Sequence, residues 1–220
     1  MFSYYGSKSK IIKKYPAPEF DIIIEPFAGS ARYALLHGEN RHVVLNDLYP
    51  VIAEIWKYLI KATPKQIDAL PNLQAGESLK NFEMSDVERD LMGFFVNMGV
   101  STPHYIYSKW ASGNDNIGRS KRLAKQFLPL IRQWKISCKS YLELENIEAT
   151  WFIDPPYQHG GKRYKVHDID YDILAAWSRS RKGQVIVCEN TPANWLPFKP
   201  LVQMTGQRTR TTELIWTNTK

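Results

Sequence analysis

DIIIEPFAGSARYALLHGENRHVVLND, residues 21–47, contains one pattern twice. DIIIEP (21–26) is a short β-branched run closed by an acid and a proline, which reads as a buried strand. FAGS turns the chain, ARYALLH suits a helix, and HVVLND (42–47) repeats the apolar run, ending in Asn46 and Asp47. Beyond it, PVIAEIWKYLIK carries Val51, Ile52, Ile55, Trp56 and Leu59 on one helical stripe. Strand, glycine turn, helix, strand, helix opens a doubly wound α/β domain with a mostly parallel sheet.

The same grammar returns near the end of the chain. KISCKSYLEL, ATWFID and QVIVCEN have sheet character, YDILAAWSR has helix character, and LVQMTGQ with TTELIWTN suits a C-terminal antiparallel hairpin joined by a short basic turn. The middle, residues 62–134, reads differently. SDVE (85–88) has capping-box spacing, and Val87, Leu91, Phe94, Phe95 and Met98 continue as an apolar helix face. STPHYIYSKWASGNDNIG reads as an irregular loop with exposed aromatics, Tyr105, Tyr107 and Trp110. A helix is predicted from about Arg119, burying Leu123, Phe127, Ile131 and Trp134, with Lys121, Lys125, Arg132 and Lys135 on its other face and Pro129 as a kink. The organisation expected is residues 1–61 and 135–220 as one α/β domain, interrupted by a mainly helical insertion at 62–134.

At 220 residues, 44% hydrophobic and 23% charged, the chain has the composition of a globular protein with a sizeable core. No apolar run approaches the ~20 residues of a membrane span, and MFSYYGSKSKIIKKY lacks the hydrophobic centre of a secretion signal, so an intracellular location is expected. Cys138 and Cys188 stand in unrelated contexts without metal-ligand spacing, which predicts two reduced, buried thiols and no metal site. The net charge of +7 is segregated: seven Lys/Arg and no acid lie between Ile117 and Ser140, and four lysines and no acid between Met1 and Tyr15. Such a distribution fits a polyanionic partner or a solvated basic face.

Three predicted strands end in a carboxylate: Glu25, Asp47 and Asp154. In open parallel sheets ligands bind beyond the carboxyl ends of the strands, so the three acids point to one composite site. Gly29 provides a tight turn, and Asp47, 18 residues on, is spaced to grip ribose hydroxyls. The absence of GxGxxG favours a nucleoside ligand without a pyrophosphate. The plain alternative is that Gly29 is a simple turn and Asp47 a helix cap.

In WFIDPPYQHGGKRY (151–164), proline fixes its own backbone angle and restricts the residue before it. Asp154 and Pro155 are thereby held extended, so the Asp154 carboxylate and the Pro155 carbonyl form two pre-aimed acceptors, and Tyr157 adds a flat stacking surface. The pair suits an amino group on an aromatic ring, whose delocalised lone pair needs hydrogen bonding to become nucleophilic. A rigid surface turn is the bland alternative.

With YYGSK, EPFAGS, NDLYP, DPPY, VCEN and ELIWTN in this order, the chain resembles the Dam-like, alpha-group family of adenine-N6 DNA methyltransferases, particularly its small phage-type members. The likeness spans nearly the whole sequence, and DPPY is its most specific motif. It implies a Rossmann-like S-adenosylmethionine-dependent methyltransferase fold, S-adenosylmethionine as methyl donor, and transfer to the amine of an adenine flipped out of double-stranded DNA. Carried over by motif, Tyr4, Gly6 and Lys8 border the cofactor, Glu25, Pro26, Phe27, Ala28, Gly29 and Ser30 form its glycine loop, and Asp47 and Asp154 complete its site. Asp154 and Pro155 hold the target amine, Pro156 stiffens the turn, and Tyr157 stacks on the base.

The insertion at 62–134 is the expected DNA reader. Tyr107, Lys109, Trp110, Arg119, Lys121, Lys125, Lys162 and Arg163 are the candidate nucleic-acid contacts. Ser7 and Ala31 depart from the family pattern, both standing where glycine is common. The alternatives are an RNA adenine or cytosine-N4 methyltransferase, or a catalytically inactive nucleic-acid-binding relative. A monomer in the cytoplasm of a bacterial or phage-infected cell, with no membrane partner, completes the expectation.

Overall fold

The structure is a computed structural model that describes residues 1–109, 115–205 and 210–219, with backbone alone for 204, 205 and 210. Among the described residues seven strands form one sheet: β1 Ile22–Glu25, β2 His42–Asn46, β3 Lys135–Ser137, β4 Ala149–Ile153, β5 Gly183–Asn190, β6 Lys199–Thr205 and β7 Arg210–Thr217. Their order is β3-β2-β1-β4-β5-β7-β6. β1 to β5 run parallel, and β7 lies antiparallel between β5 and β6. This is the mostly parallel Rossmann-like sheet with a C-terminal antiparallel hairpin read from the sequence.

The chain winds outward from β1 to β2 and β3, then returns to place β4 on the other side of β1. The order therefore reverses between β1 and β4, and the crevice at such a switch point is where open α/β sheets bind ligands.

Strand periodicity sorts the core into two layers. Ile23, Phe152, Ile186 and Cys188 face one cluster, which includes Tyr33, Trp56, Phe94, Phe95 and Ile131. Their neighbours Ile24, Trp151, Ile153, Val185 and Val187 face a second cluster with Leu174 and Trp177. Helices α1 Arg32–His37, α2 Pro50–Lys61, α3 Pro64–Ala69, α4 Asp86–Val96 and α5 Asn116–Ile131 contribute to the first layer, and α6 Tyr171–Arg179 to the second. Tyr33 stacks on Phe152 with ring centroids 4.3 Å apart at 8°, tying α1 to β4; truncating such a buried aromatic costs about 3–5 kcal/mol.

Helix boundaries follow local chemistry. Ser85 and Glu88 form the reciprocal capping box that starts α4. α5 begins at Asn116, ahead of the expected Arg119, because the Asp115 side chain accepts from the Gly118 N–H. Its buried stripe is Ile117, Ala124, Leu128 and Ile131, whereas Leu123 and Phe127 are only half-buried, so the helix is rotated from the expected face. Pro129 lies inside it and the helix continues to Ile131.

Met98, expected on the α4 face, lies beyond the helix and is exposed. KISCKSYLEL forms only the three-residue β3 and a 3₁₀ turn at Tyr141–Glu143, which Ser140 and Glu143 cap. Of the two thiols expected to be buried, Cys188 is and Cys138 is exposed. Among the described residues no helix is long and apolar enough to cross a membrane, and no group of His, Cys, Asp or Glu is arranged to hold a metal.

Candidate active site

β1 delivers Glu25 to the sheet edge, and the chain then turns through Gly29, whose φ of +45° is a left-handed value that favours glycine. A Cβ at Gly29 would stand 3.0 Å from the Tyr4 ring, so the turn also admits the N-terminal segment against it. The loop is fixed from β2. Ala28 N–H donates to the Asn46 carbonyl at 2.8 Å, and the Gly29 N–H donates to Asp47 Oδ2 at 2.9 Å. Asp47 Oδ1 accepts from the Tyr49 N–H at 2.9 Å, one residue before α2 begins. Asp47 thus orients the backbone just ahead of α2, which itself has no side-chain cap, and lines the cavity. Asn46 ties the ends of β1 and β3 together, donating to the Pro26 and Lys139 carbonyls and accepting from the Ser137 hydroxyl.

These groups line a cavity of about 280 Å³ at the carboxyl edge of the sheet. All eleven candidate cofactor residues meet there: Tyr4, Gly6, Lys8, Glu25, Pro26, Phe27, Ala28, Gly29, Ser30, Asp47 and Asp154. Of the other candidates in DPPY, Pro156 also lines it, whereas the buried Pro155 and the half-buried Tyr157 do not. The sequence reading missed an apolar rim. Leu48, Leu142 and Ile173 border the cavity and are each about half exposed, unlike most large apolar residues of the chain. No single pattern signals them, because they lie far apart in the chain: Leu48 between β2 and α2, Leu142 in the 3₁₀ turn and Ile173 in the first turn of α6.

A roof comes from the segment after DPPY. Tyr164 packs edge-on against Tyr5 at 5.2 Å and tilted against Tyr4 at 5.8 Å, and its hydroxyl donates to the Tyr5 carbonyl. Gly6, at φ +74°, lies so close that a Cβ would come within 2.0 Å of the Tyr164 oxygen. Arg163 lies over the Tyr5 ring at 5.7 Å.

The Asp154 carboxylate keeps 22% of its side-chain surface exposed and pairs with the Lys8 ammonium at 2.8 Å. Lys8 is itself buried, stands 3.6 Å from Glu213 and lies over the Tyr157 ring at 4.6 Å. The Tyr157 and Tyr15 hydroxyls each donate to Glu213 Oε1 at 2.6 Å. On the other side of the turn, the Gln158 N–H donates to Glu189, and the Tyr171 hydroxyl donates to the Pro156 carbonyl. Two buried acids from β5 and β7, neither anticipated, therefore hold the residues that follow Asp154.

Burial sets the protonation of this edge. It pushes Glu25 up to about 8 despite a bond from the Ala34 N–H, and Glu189 up to about 8. Asp47 rises to about 6, burial outweighing its two backbone N–H donors. Burial also raises Asp154, with Lys8 opposing the rise, while Asp154 and Glu213 hold Lys8 firmly charged against burial.

The expected nucleic-acid contacts divide. Lys162 and Arg163 are exposed beside the Tyr164 roof. Lys109 and Arg119 are exposed, and Trp110 lies outside the described residues. Tyr107, expected on an exposed loop, is buried in the main core. Lys121 is buried, its ammonium donating to the Asp68 and Leu70 carbonyls and to Asn72 Oδ1, and Lys125 pairs with Asp68 at 2.6 Å. Those two cations fasten α5 to the end of α3, where backbone carbonyls need donors. This corrects their expected place on a phosphate-facing surface.

No family model and no curated protein matches the sequence. Solved structures are similar at low identity. A conserved hypothetical protein of Streptococcus pyogenes shares 9% identity at a TM-score of 0.36, over 91% of this chain and 87% of that one. Two others are described as candidate methyltransferases. The yhhF protein of Escherichia coli shares 8% identity at a TM-score of 0.39, over 94% and 78% of the two chains. HI0767 of Haemophilus influenzae shares 12% at 0.39, over 90% and 80%. Likeness at this level leaves the chemistry to be argued from the chain's own residues.

Proposed function

We propose that the chain is a site-specific DNA methyltransferase acting on the exocyclic amine of a flipped-out adenine, with S-adenosylmethionine as donor. The observation that carries this reading is that Asp154, Asp47 and Gly29 line one cavity at the switch point of the sheet. The donor, when bound, supplies an electrophilic methyl group on a cationic sulfur.

Asp47 would hold ribose hydroxyls, its carboxylate already oriented by two backbone N–H groups. Phe27, Leu48, Leu142 and Ile173 suit the faces of an adenine ring. At the other end, Asp154 and the Pro155 carbonyl would accept the two hydrogens of the target amine. That favours a pyramidal nitrogen with its lone pair directed at the methyl carbon, and the Asp154 charge stabilises the positive charge growing on that nitrogen. The fixed turn lowers the cost of orienting these acceptors. Tyr157 would stack on the base, and the exposed Lys109, Arg119, Lys162 and Arg163 would contact phosphates.

The test is tritiated methyl transfer from S-adenosylmethionine to unmethylated plasmid DNA, followed by digestion to nucleosides. Label is expected in N6-methyldeoxyadenosine, and Asp154→Ala should lower the rate at least about 100-fold. Label in N4-methyldeoxycytidine, or transfer only to RNA, would move the reading to those substrates. Undiminished transfer by the variant would remove Asp154 from its role.

A further inference from the structure

Glu213 sits where no strand-end rule would look for a catalytic neighbour. β7 runs antiparallel to β5 with Glu213 opposite Asn190, so its early residues reach the carboxyl edge at which the parallel strands stop. Its side chain is buried, and one oxygen, Oε1, faces three donors: the Tyr15 and Tyr157 hydroxyls at 2.6 Å each and the Lys8 ammonium at 3.6 Å. Two phenol donors alone ask only for a neutral acceptor, such as a glutamine carbonyl. Burying a carboxylate is costly unless a cation faces it, so the carboxylate at this position answers Lys8.

Lys8 has nowhere else to go. It is 7% exposed and contacts Asp154 at 2.8 Å, the Gly6 carbonyl at 3.3 Å and the Tyr157 ring. In this arrangement Lys8 already occupies one oxygen of the carboxylate that the target amine needs. We propose that Glu213 is a positioning residue: it takes up the Lys8 ammonium as Asp154 accepts the incoming amine, and it holds Tyr157 in place meanwhile. The handover requires Lys8 to close on Glu213 from 3.6 Å toward the 2.8 Å it keeps with Asp154. No proton or covalent bond changes hands in this step, and both carboxylates stay within reach of one cation throughout. The inference rests on the proposed amine transfer for its consequence, but the hold of Glu213 on Lys8 is measurable without any transfer.

Glu213→Gln keeps an oxygen for the two phenols and removes the charge that faces Lys8. Two readouts are taken on the full chain: steady-state methyl transfer from S-adenosylmethionine to plasmid DNA, and the rate of Lys8 acetylation by a water-soluble acetyl ester, read by mass spectrometry against Lys10 and Lys13. The variant is expected to lose about 10-fold or more in kcat, keep donor KM within about twofold, and acetylate several-fold faster at Lys8 with Lys10 and Lys13 unchanged. Glu213→Asp, which retains the charge, should recover part of the kcat. A kcat within about twofold of the wild type would overturn the proposal. So would a kcat loss matched by weakened donor binding and a falling Tm, which would mark a purely structural role. If the wild type transfers no methyl group, the proposed function fails, and the acetylation rate still decides whether Glu213 holds Lys8: equal rates in both proteins overturn it.

Discussion

Lys8 and Lys121 are buried to the same degree, each 7% exposed, yet they belong to opposite kinds of environment. Lys8 faces two carboxylates at the sheet edge, which keep its charge against the cost of burial. Lys121 donates chiefly to neutral oxygens at the end of α3, and burial lowers it, with the charge of Asp68 opposing. Partners rather than burial distinguish them. A cation among neutral carbonyls fastens backbone. A cation between two acids leaves a carboxylate poised and able to exchange partners.

The largest effect expected from this contrast is on activity. Lys8→Met should lower methyl transfer at least about 100-fold, because it leaves Asp154 buried without a cation. Since Lys8 opposes the upward push of burial on Asp154, its loss should also move the acid limb of the pH–rate profile to higher pH. A profile that keeps its acid limb in place would erase the distinction between the two lysines.

Lys121→Met should behave in the reverse way. It removes the donor for three oxygens, so a stability loss of roughly 1–3 kcal/mol is expected, with kcat unchanged in the folded protein. At about 2–4 °C per kcal/mol for a chain of this size, thermal melting resolves it. A kcat loss without a fall in Tm would place Lys121 on the functional side after all.

The site edge also differs from the rest of the molecule in its buried acids. Burial pushes Glu25 and Glu189 up to about 8, so between pH 6 and 8 the folded chain retains two carboxyl protons that the unfolded chain has released, while its buried Met1 amine, lowered to about 4, has shed one that the unfolded chain keeps. Stability should therefore fall as pH rises through that window with a net slope on the order of 1.4 kcal/mol per pH unit, two acids against one amine. Tm is expected to be higher at pH 6 than at pH 8, and Glu25→Gln should remove most of the slope. A flat or opposite trend would contradict the burial argument.

The smallest effect concerns Ala31. It adopts φ +45° and ψ +50°, a left-handed conformation that costs a side-chain-bearing residue roughly 1 kcal/mol. Ala31→Gly should raise stability by about 0.5–1 kcal/mol and leave transfer unchanged, as urea unfolding would show.

Much of this was legible because local rules and tertiary structure agree. The β-branched run before Glu25, the glycine turn and the acid-ended strands specify both the sheet and its ligand edge, and every predicted cofactor residue lies around the cavity. What escaped depends on groups far apart in the chain. Glu213 meets Tyr15 across 198 residues through an antiparallel strand, and no pattern within TTELIWTN reveals that partner. Lys121 looked solvent-facing because its acceptors lie about 50 residues earlier, at and just beyond the end of α3. Tyr107 sits in a polar loop that reads as surface, but backbone bonds between Tyr107 and both Gly76 and Glu77 draw it into the core. Turn chemistry and periodicity locate strand ends; they do not identify what closes over them.

The central claim is that one cavity has a donor-holding end at Asp47 and an acceptor end at Asp154. Isothermal titration of S-adenosylmethionine into the wild type, Asp47→Asn and Asp154→Asn tests it most directly. The account predicts saturable binding by the wild type, loss of at least about 10-fold in affinity with Asp47→Asn, and a change within about threefold with Asp154→Asn. No binding by the folded wild type, or equal affinity in all three proteins, would contradict it.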